Sequence, residues 1–136
     1  MKKIKVHGAC HCGEVSYEAE VDPEKVIVCY CRDCQSMTGG TCHINAVVAA
    51  EDFQLLTGTP ADYVRLANSG TARTQAFCGA CGTHLYARNA DGTGAYGVRV
   101  PSMDRAADLA PKVLLFTQRR PDWMEHEAEI PHHKEQ

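Results

Sequence analysis

The stretch Val26-Ile27-Val28-Cys29-Tyr30-Cys31-Arg32-Asp33-Cys34 runs a β-branched apolar segment directly into three closely spaced thiols. In an extended segment residues i and i+2 face the same side, so Cys29 and Cys31 present their sulfurs together. Cys34 then returns toward Cys31 across a short turn. The chain joins strand pattern to thiols twice more. Cys10 and Cys12 follow the short strand pattern of Ile4 to His7, and Cys78 and Cys81 follow Thr71 to Phe77. Seven of the eight cysteines therefore fall in three tight clusters.

The rest of the chain reads as β-rich. Val15 to Val21 alternates apolar and polar side chains, the mark of a half-buried strand, and Asp22-Pro23 breaks it. Cys42 to Val48, Phe53 to Thr57, Tyr63 to Leu66, Thr83 to Arg88, Ala95 to Val100 and Val113 to Phe116 are further strands. Asn68-Ser69-Gly70 and Asn89 to Gly92 supply turns. Helical signals are short: Arg32 to Thr38, Asp104 to Leu109 and Met124 to Glu129. No internal repeat or linker divides the chain, which predicts one mostly-β domain over 1–136 with a loose tail at 131–136. Trp123 and Met124 are expected to anchor the C-terminal segment on the core.

Composition excludes several classes. The net charge of −3 leaves no electrostatic footprint for nucleic acid or an anionic membrane surface. The longest apolar run, Ala46 to Ala50, is far too short to span a bilayer. The N-terminus is basic but has no long apolar segment after it, so no secretory signal is read and a reducing, cytoplasmic compartment is expected. In such a compartment C-x-C and C-x-x-C spacings point to metal chelation rather than disulfides.

Thiolates at these spacings suit zinc rather than calcium or magnesium, with iron as the alternative. Seven sulfurs cannot fill two sets of four. The most economical division joins Cys10, Cys12, Cys78 and Cys81 in a closed structural site and leaves Cys29, Cys31 and Cys34 with an open position for water or a substrate sulfur. Cys42 reads as a small buried apolar group. Cys42 or His43 is the alternative fourth ligand that would close the second site. His7, His11 and His84 border the knuckles as ordinary side chains, and His126, His132 and His133 lie in the polar tail. Arg119-Arg120 reads as a solvated basic pair. Glu14, Asp33 and Asp52 read as surface carboxylates.

The order C-x-C-G, then C-x-C-x2-C-Q with a glycine shortly after, then F-C-x2-C-G, resembles the glutathione-dependent formaldehyde-activating enzyme family, which includes proteins of the centromere protein V type. The motifs run from about Gly8 to Leu85. The resemblance implies a β-tent fold with two zinc ions, the first held by the four paired cysteines and the second, catalytic one by Cys29, Cys31 and Cys34. It further implies that glutathione and formaldehyde combine to S-hydroxymethylglutathione, a carbon–sulfur lyase reaction. Tyr30 departs from the family, which often has histidine there. Glutathione's carboxylates need cations, and Arg32, Arg73, Arg88 and Arg99 are candidates, with Arg32, inside the metal turn, first among them. The competing reading is a non-catalytic zinc module that binds a protein or nucleic-acid partner. The oligomeric state is open.

Overall fold

The computed structural model describes residues 2–136 and is mostly β. A small antiparallel sheet pairs β1 (Ile4–Ala9), β2 (Ser16–Val21) and β5 (Phe53–Thr57) in the order β1-β2-β5. A larger sheet contains β3 (Val26–Cys29), β4 (His43–Val48), β6 (Ala61–Leu66), β7 (Ala72–Phe77), β8 (His84–Asn89), β9 (Tyr96–Arg99) and β10 (Val113–Leu115). Its order is β10-β3-β4-β9-β8-β7-β6, antiparallel throughout except for the β10–β3 edge pair. The helix α1 (Arg32–Thr38) follows β3 and ends at Gly39, whose positive φ of 65° is the left-handed conformation that closes helices.

The two sheets share one core. The alternation seen in the sequence sends Val6, Tyr17, Ala19 and Val21 inward from the small sheet and Val26, Ala46, Val48, Val98 and Tyr86 inward from the large one. Phe53 joins them, with ring centroids 5.1 Å from Tyr17, 4.8 Å from Tyr86 and 5.1 Å from Tyr96. Tyr17 is fully buried. It fits because Gly8, opposite it on β1, carries no side chain: a Cβ there would stand 2.0 Å from the Tyr17 Cζ. The Tyr17 hydroxyl donates to Ser102 Oγ at 2.6 Å, and that hydroxyl donates to the Arg99 carbonyl at 2.7 Å.

Two expectations fail. Trp123 does not anchor the C-terminal segment: it is 51% exposed, and the 3-10 segment Asp122–Glu129 buries no residue. A run of eight residues with weakly amphipathic character has no wide apolar stripe to lay on a sheet. Nor is Arg119-Arg120 simply a solvated pair. The Arg120 guanidinium stands 5.8 Å over the ring of buried Tyr30, and the Arg119 carbonyl accepts from Gln35 Nε2 at 2.8 Å. Both contacts fold the chain after β10 back over the start of α1.

Candidate metal centre

The chain brings its seven clustered cysteines into two groups. In each group the sulfur atoms all lie within 4.8 Å of one another. The first joins Cys10 and Cys12, after β1, to Cys78 and Cys81, after β7. Its Cys10–Cys12 and Cys12–Cys78 sulfur separations are 3.6 Å and 3.7 Å. Four sulfurs placed tetrahedrally at 2.3 Å from zinc stand about 3.8 Å apart, so this quartet has the size of the ion. The knuckle geometry is also present. Backbone N–H groups of Val15 and Cys81 donate to Cys10 Sγ at 3.3 Å and Cys78 Sγ at 3.4 Å. Gly13 and Gly82 turn the backbone at φ of 82° and 80°, which side-chain-bearing residues rarely adopt. Cys10 and Cys78 belong to the core, whereas Cys12 and Cys81 face solvent.

The second group is Cys29, Cys31 and Cys34. Cys29 ends β3. Cys31 is the N-cap of α1, its Sγ accepting from the Cys34 N–H at 3.3 Å. The Cys34 side chain holds Cys29 down to about 5 against the opposing effect of burial, with the Cys31 backbone N–H assisting, while Cys34 itself is pushed up, first by Cys29 and then by burial. Among the described residues no fourth histidine, cysteine or carboxylate joins this group. Cys42 stands outside it, taking a hydrogen bond from Thr41 Oγ1 at 3.7 Å. His43, the other alternative ligand, is engaged elsewhere: its Nε2 meets His84 Nδ1 at 3.1 Å.

Strand register explains what surrounds the triplet. Residues directly opposite in a ladder share a face. Cys29 opposes His43, and two residues along β4 Asn45 opposes Arg99 on β9. The face turned away from the shared core is therefore polar. Arg99 is 6% exposed. It donates from Nη1 to Asn45 Oδ1 at 2.6 Å and from Nη2 to Gln75 Oε1 at 2.5 Å. Burial lowers its pKa to about 10, an effect that Cys34 and then Cys29 oppose. Burial drives His43 down to about 3, with Arg99 next in effect, and lowers His84 as well, so both imidazoles are neutral at pH 7.

Two hollows lie in this part of the molecule, and the second borders the triplet at Cys31. One, of about 470 Å³, is lined by Thr38, Cys42, His43, Ile44, His84 and Arg99 among others. The other, of about 280 Å³, is lined by Cys31, Arg32, Asn68, Phe116, Gln118 and Arg119, with Asp33 at its side. Arg32 thus stands beside the triplet, its Nη1 donating to Gln35 Oε1 at 2.8 Å. Arg73 instead bonds Asn89 Oδ1 at 2.8 Å, and Arg88 pairs with Asp62 at 4.0 Å. The histidine pair, the Arg99 network and Arg119 were not singled out as a group by sequence. The one legible hint was arginine and histidine recurring in strands at positions facing away from the apolar stripe.

No helix among the described residues is long and apolar enough to cross a membrane. A crystal structure of a Rhodobacter sphaeroides protein shares the fold, with a TM-score of 0.62 and 23% identity over 79% of this chain and 98% of that one. No curated protein matches the chain. The family model for the glutathione-dependent formaldehyde-activating enzyme matches residues 5–119, a span that takes in both cysteine groups and the lining of both hollows. With two such sulfur clusters in place and that match covering most of its length, the chain belongs to the glutathione-dependent formaldehyde-activating enzyme family.

Proposed function

We propose that this protein is a zinc-dependent carbon–sulfur lyase. It makes and breaks the bond between the sulfur of glutathione, or a similar thiol, and the carbonyl carbon of formaldehyde or another small aldehyde. The observation that carries this reading is the three-sulfur group Cys29, Cys31 and Cys34, which gathers without a fourth protein ligand among the described residues.

Zinc held by these three thiolates would lower the pKa of an incoming thiol, so that it is a thiolate at neutral pH. The chain's own residues account for the rest. Arg32 and Arg119 line the hollow that Cys31 borders, and their cationic groups suit the carboxylates of a glutathione-like thiol. Holding that thiol by its remote end fixes its sulfur near the triplet and spares the entropy of a chance encounter. As the carbon–sulfur bond forms, the proton leaving sulfur must reach the carbonyl oxygen. The neutral His43–His84 pair, lining the neighbouring hollow, can accept a proton on one ring and pass one on from the other. The reverse reaction runs the same transfers backwards. Tyr30, in the place where the family often has histidine, is buried under Arg120 and contributes packing rather than a proton.

The test is the metal-to-protein ratio of wild type and Cys31→Ser, together with exchange of ¹³C-formaldehyde into glutathione followed by NMR. Two zinc ions in wild type, one in the variant, and exchange accelerated only by wild type are the expected results. An unchanged zinc count in Cys31→Ser would sink the assignment of the second ion. Retention on immobilised DNA at low salt, without retention on immobilised glutathione, would favour the non-catalytic reading.

A further inference from the structure

Arg99 is a buried cation without an acid. Among the described residues its side chain bonds two neutral amides, Asn45 and Gln75, and its Nε has no partner. None of the ion pairs among the described residues includes it. A charge taken out of water costs several kcal/mol unless an opposite charge compensates it. Hydrogen bonds to amides satisfy donors but supply no negative charge.

The same face of the large sheet leads to the three-cysteine group. Arg99 on β9, Asn45 and His43 on β4, and Cys29 at the end of β3 follow one another by register. Three thiolates around a divalent ion carry a net charge of minus one, equal and opposite to one guanidinium. Arg99 is 6% exposed, so a negative charge gathered at the end of β3 faces a guanidinium that water screens little. His43 and His84, which also face the guanidinium, are neutral and offer no rival charge. Of the other arginines on this side, Arg65 already pairs with Asp33 at 3.1 Å, and Arg73 is turned to Asn89.

We propose that Arg99 is the built-in counter-ion of the three-cysteine metal site, held at its post by Asn45 and Gln75. It thereby sets how tightly that site keeps its ion and offsets the extra negative charge that a substrate thiolate brings. The proposal rests on the three-cysteine metal site argued above and concerns a positioning residue, since Arg99 acts through the sulfurs. The polar environment around ligating groups commonly governs metal affinity by 10–100-fold.

The experiment measures zinc affinity by competition with a chromophoric chelator on the full chain, resolving the tight four-sulfur ion from the second one. Three variants are compared. Arg99→Met removes the charge, Arg99→Lys restores it, and Asn45→Asp gives Arg99 a carboxylate at the existing 2.6 Å contact without disturbing the packing. Arg99→Met and Asn45→Asp are expected to weaken the second ion by roughly 10–100-fold and leave the first unchanged, with Arg99→Lys close to wild type. An unchanged second affinity in both Arg99→Met and Asn45→Asp overturns the proposal. So does equal weakening by methionine and lysine with Asn45→Asp unaffected, since that pattern reports the shape of the guanidinium rather than its charge. Equal weakening of both ions by Arg99→Met, with Asn45→Asp unaffected, also overturns it, as it reports a loosened fold. If wild type itself takes up only one zinc, the three-cysteine site fails. If wild type takes up two and the variants match it, only the counter-ion role fails.

Discussion

The quartet and the triplet differ in how much chain they cross-link, and Cys12→Ser against Cys31→Ser measures the difference. Cys12 and Cys78 are 66 residues apart, whereas Cys31 and Cys34 are separated by 3. Taking a metal cross-link to restrain the unfolded chain as a covalent one does, a loop of the first size is worth about 4 kcal/mol and one of a few residues about 2 kcal/mol. Cys12 is solvent-exposed, so its replacement opens no cavity and isolates the cross-link. At Cys31 a serine keeps an acceptor at the N-cap of α1, so the helix start survives. The assay is thermal unfolding by circular dichroism, with free zinc clamped at a level that saturates wild type but not a three-sulfur remnant of the quartet. For a chain of this size, Cys12→Ser is expected to lower the melting temperature by roughly 15 °C and Cys31→Ser by about half of that. Equal shifts in the two variants, or a fall of less than about 5 °C for Cys12→Ser, would refute the idea that the four-sulfur group is the clasp of the fold.

Gly8→Ala is expected to destabilise the protein by about 2–4 kcal/mol in urea unfolding, because a Cβ 2.0 Å from the Tyr17 ring forces that buried side chain off Phe53 and off Ser102. Acid should act through His43. Its folded pKa of about 3 lies below the unfolded value of 6.5, so as pH falls below 6.5 the unfolded chain takes up a proton that the folded one refuses. That contribution to stability is lost progressively between about 6.5 and 3. Between pH 7 and pH 5 the wild type should therefore lose about 2 kcal/mol more than His43→Gln. Parallel losses in the two proteins would show that His43 does not titrate this way.

Local pattern carried much of the fold. Alternation over 15–21 and 63–66, the β-branched run before Cys29 and the glycines after Cys12 and Cys81 each act within a few residues, and each element formed close to its expected bounds. The helix Arg32–Thr38 matches its expected range because Cys31 caps it and Gly39 ends it. Spacing marked each cysteine cluster as chelating, whereas the joining of the first cluster to the third was read from economy of ligands and from the family resemblance. What stayed hidden depends on strand order. Nothing local places β9 beside β4 or β7 two strands from β9, so the Arg99–Asn45–Gln75 network and the His43–His84 contact could not be assembled. Nor does local pattern reveal that β10 runs parallel to β3, which brings Arg119 and Arg120 over Tyr30 and α1. Trp123 misled because a large aromatic ring is a good prior for burial, and this one ended on a segment that packs little.

The interval between Cys34 and Cys78 also orders events during synthesis. A ribosome exposes every donor of the three-sulfur group long before the second half of the four-sulfur group has been translated. All three sulfurs of the triplet are therefore present while the clasp is still open, although Arg99 follows only after Cys78. The even-numbered site closes only when the knuckle at Cys78 emerges and reaches back to Cys10. The four-sulfur group, whose two halves are made far apart, is thus the later of the two to have all its donors.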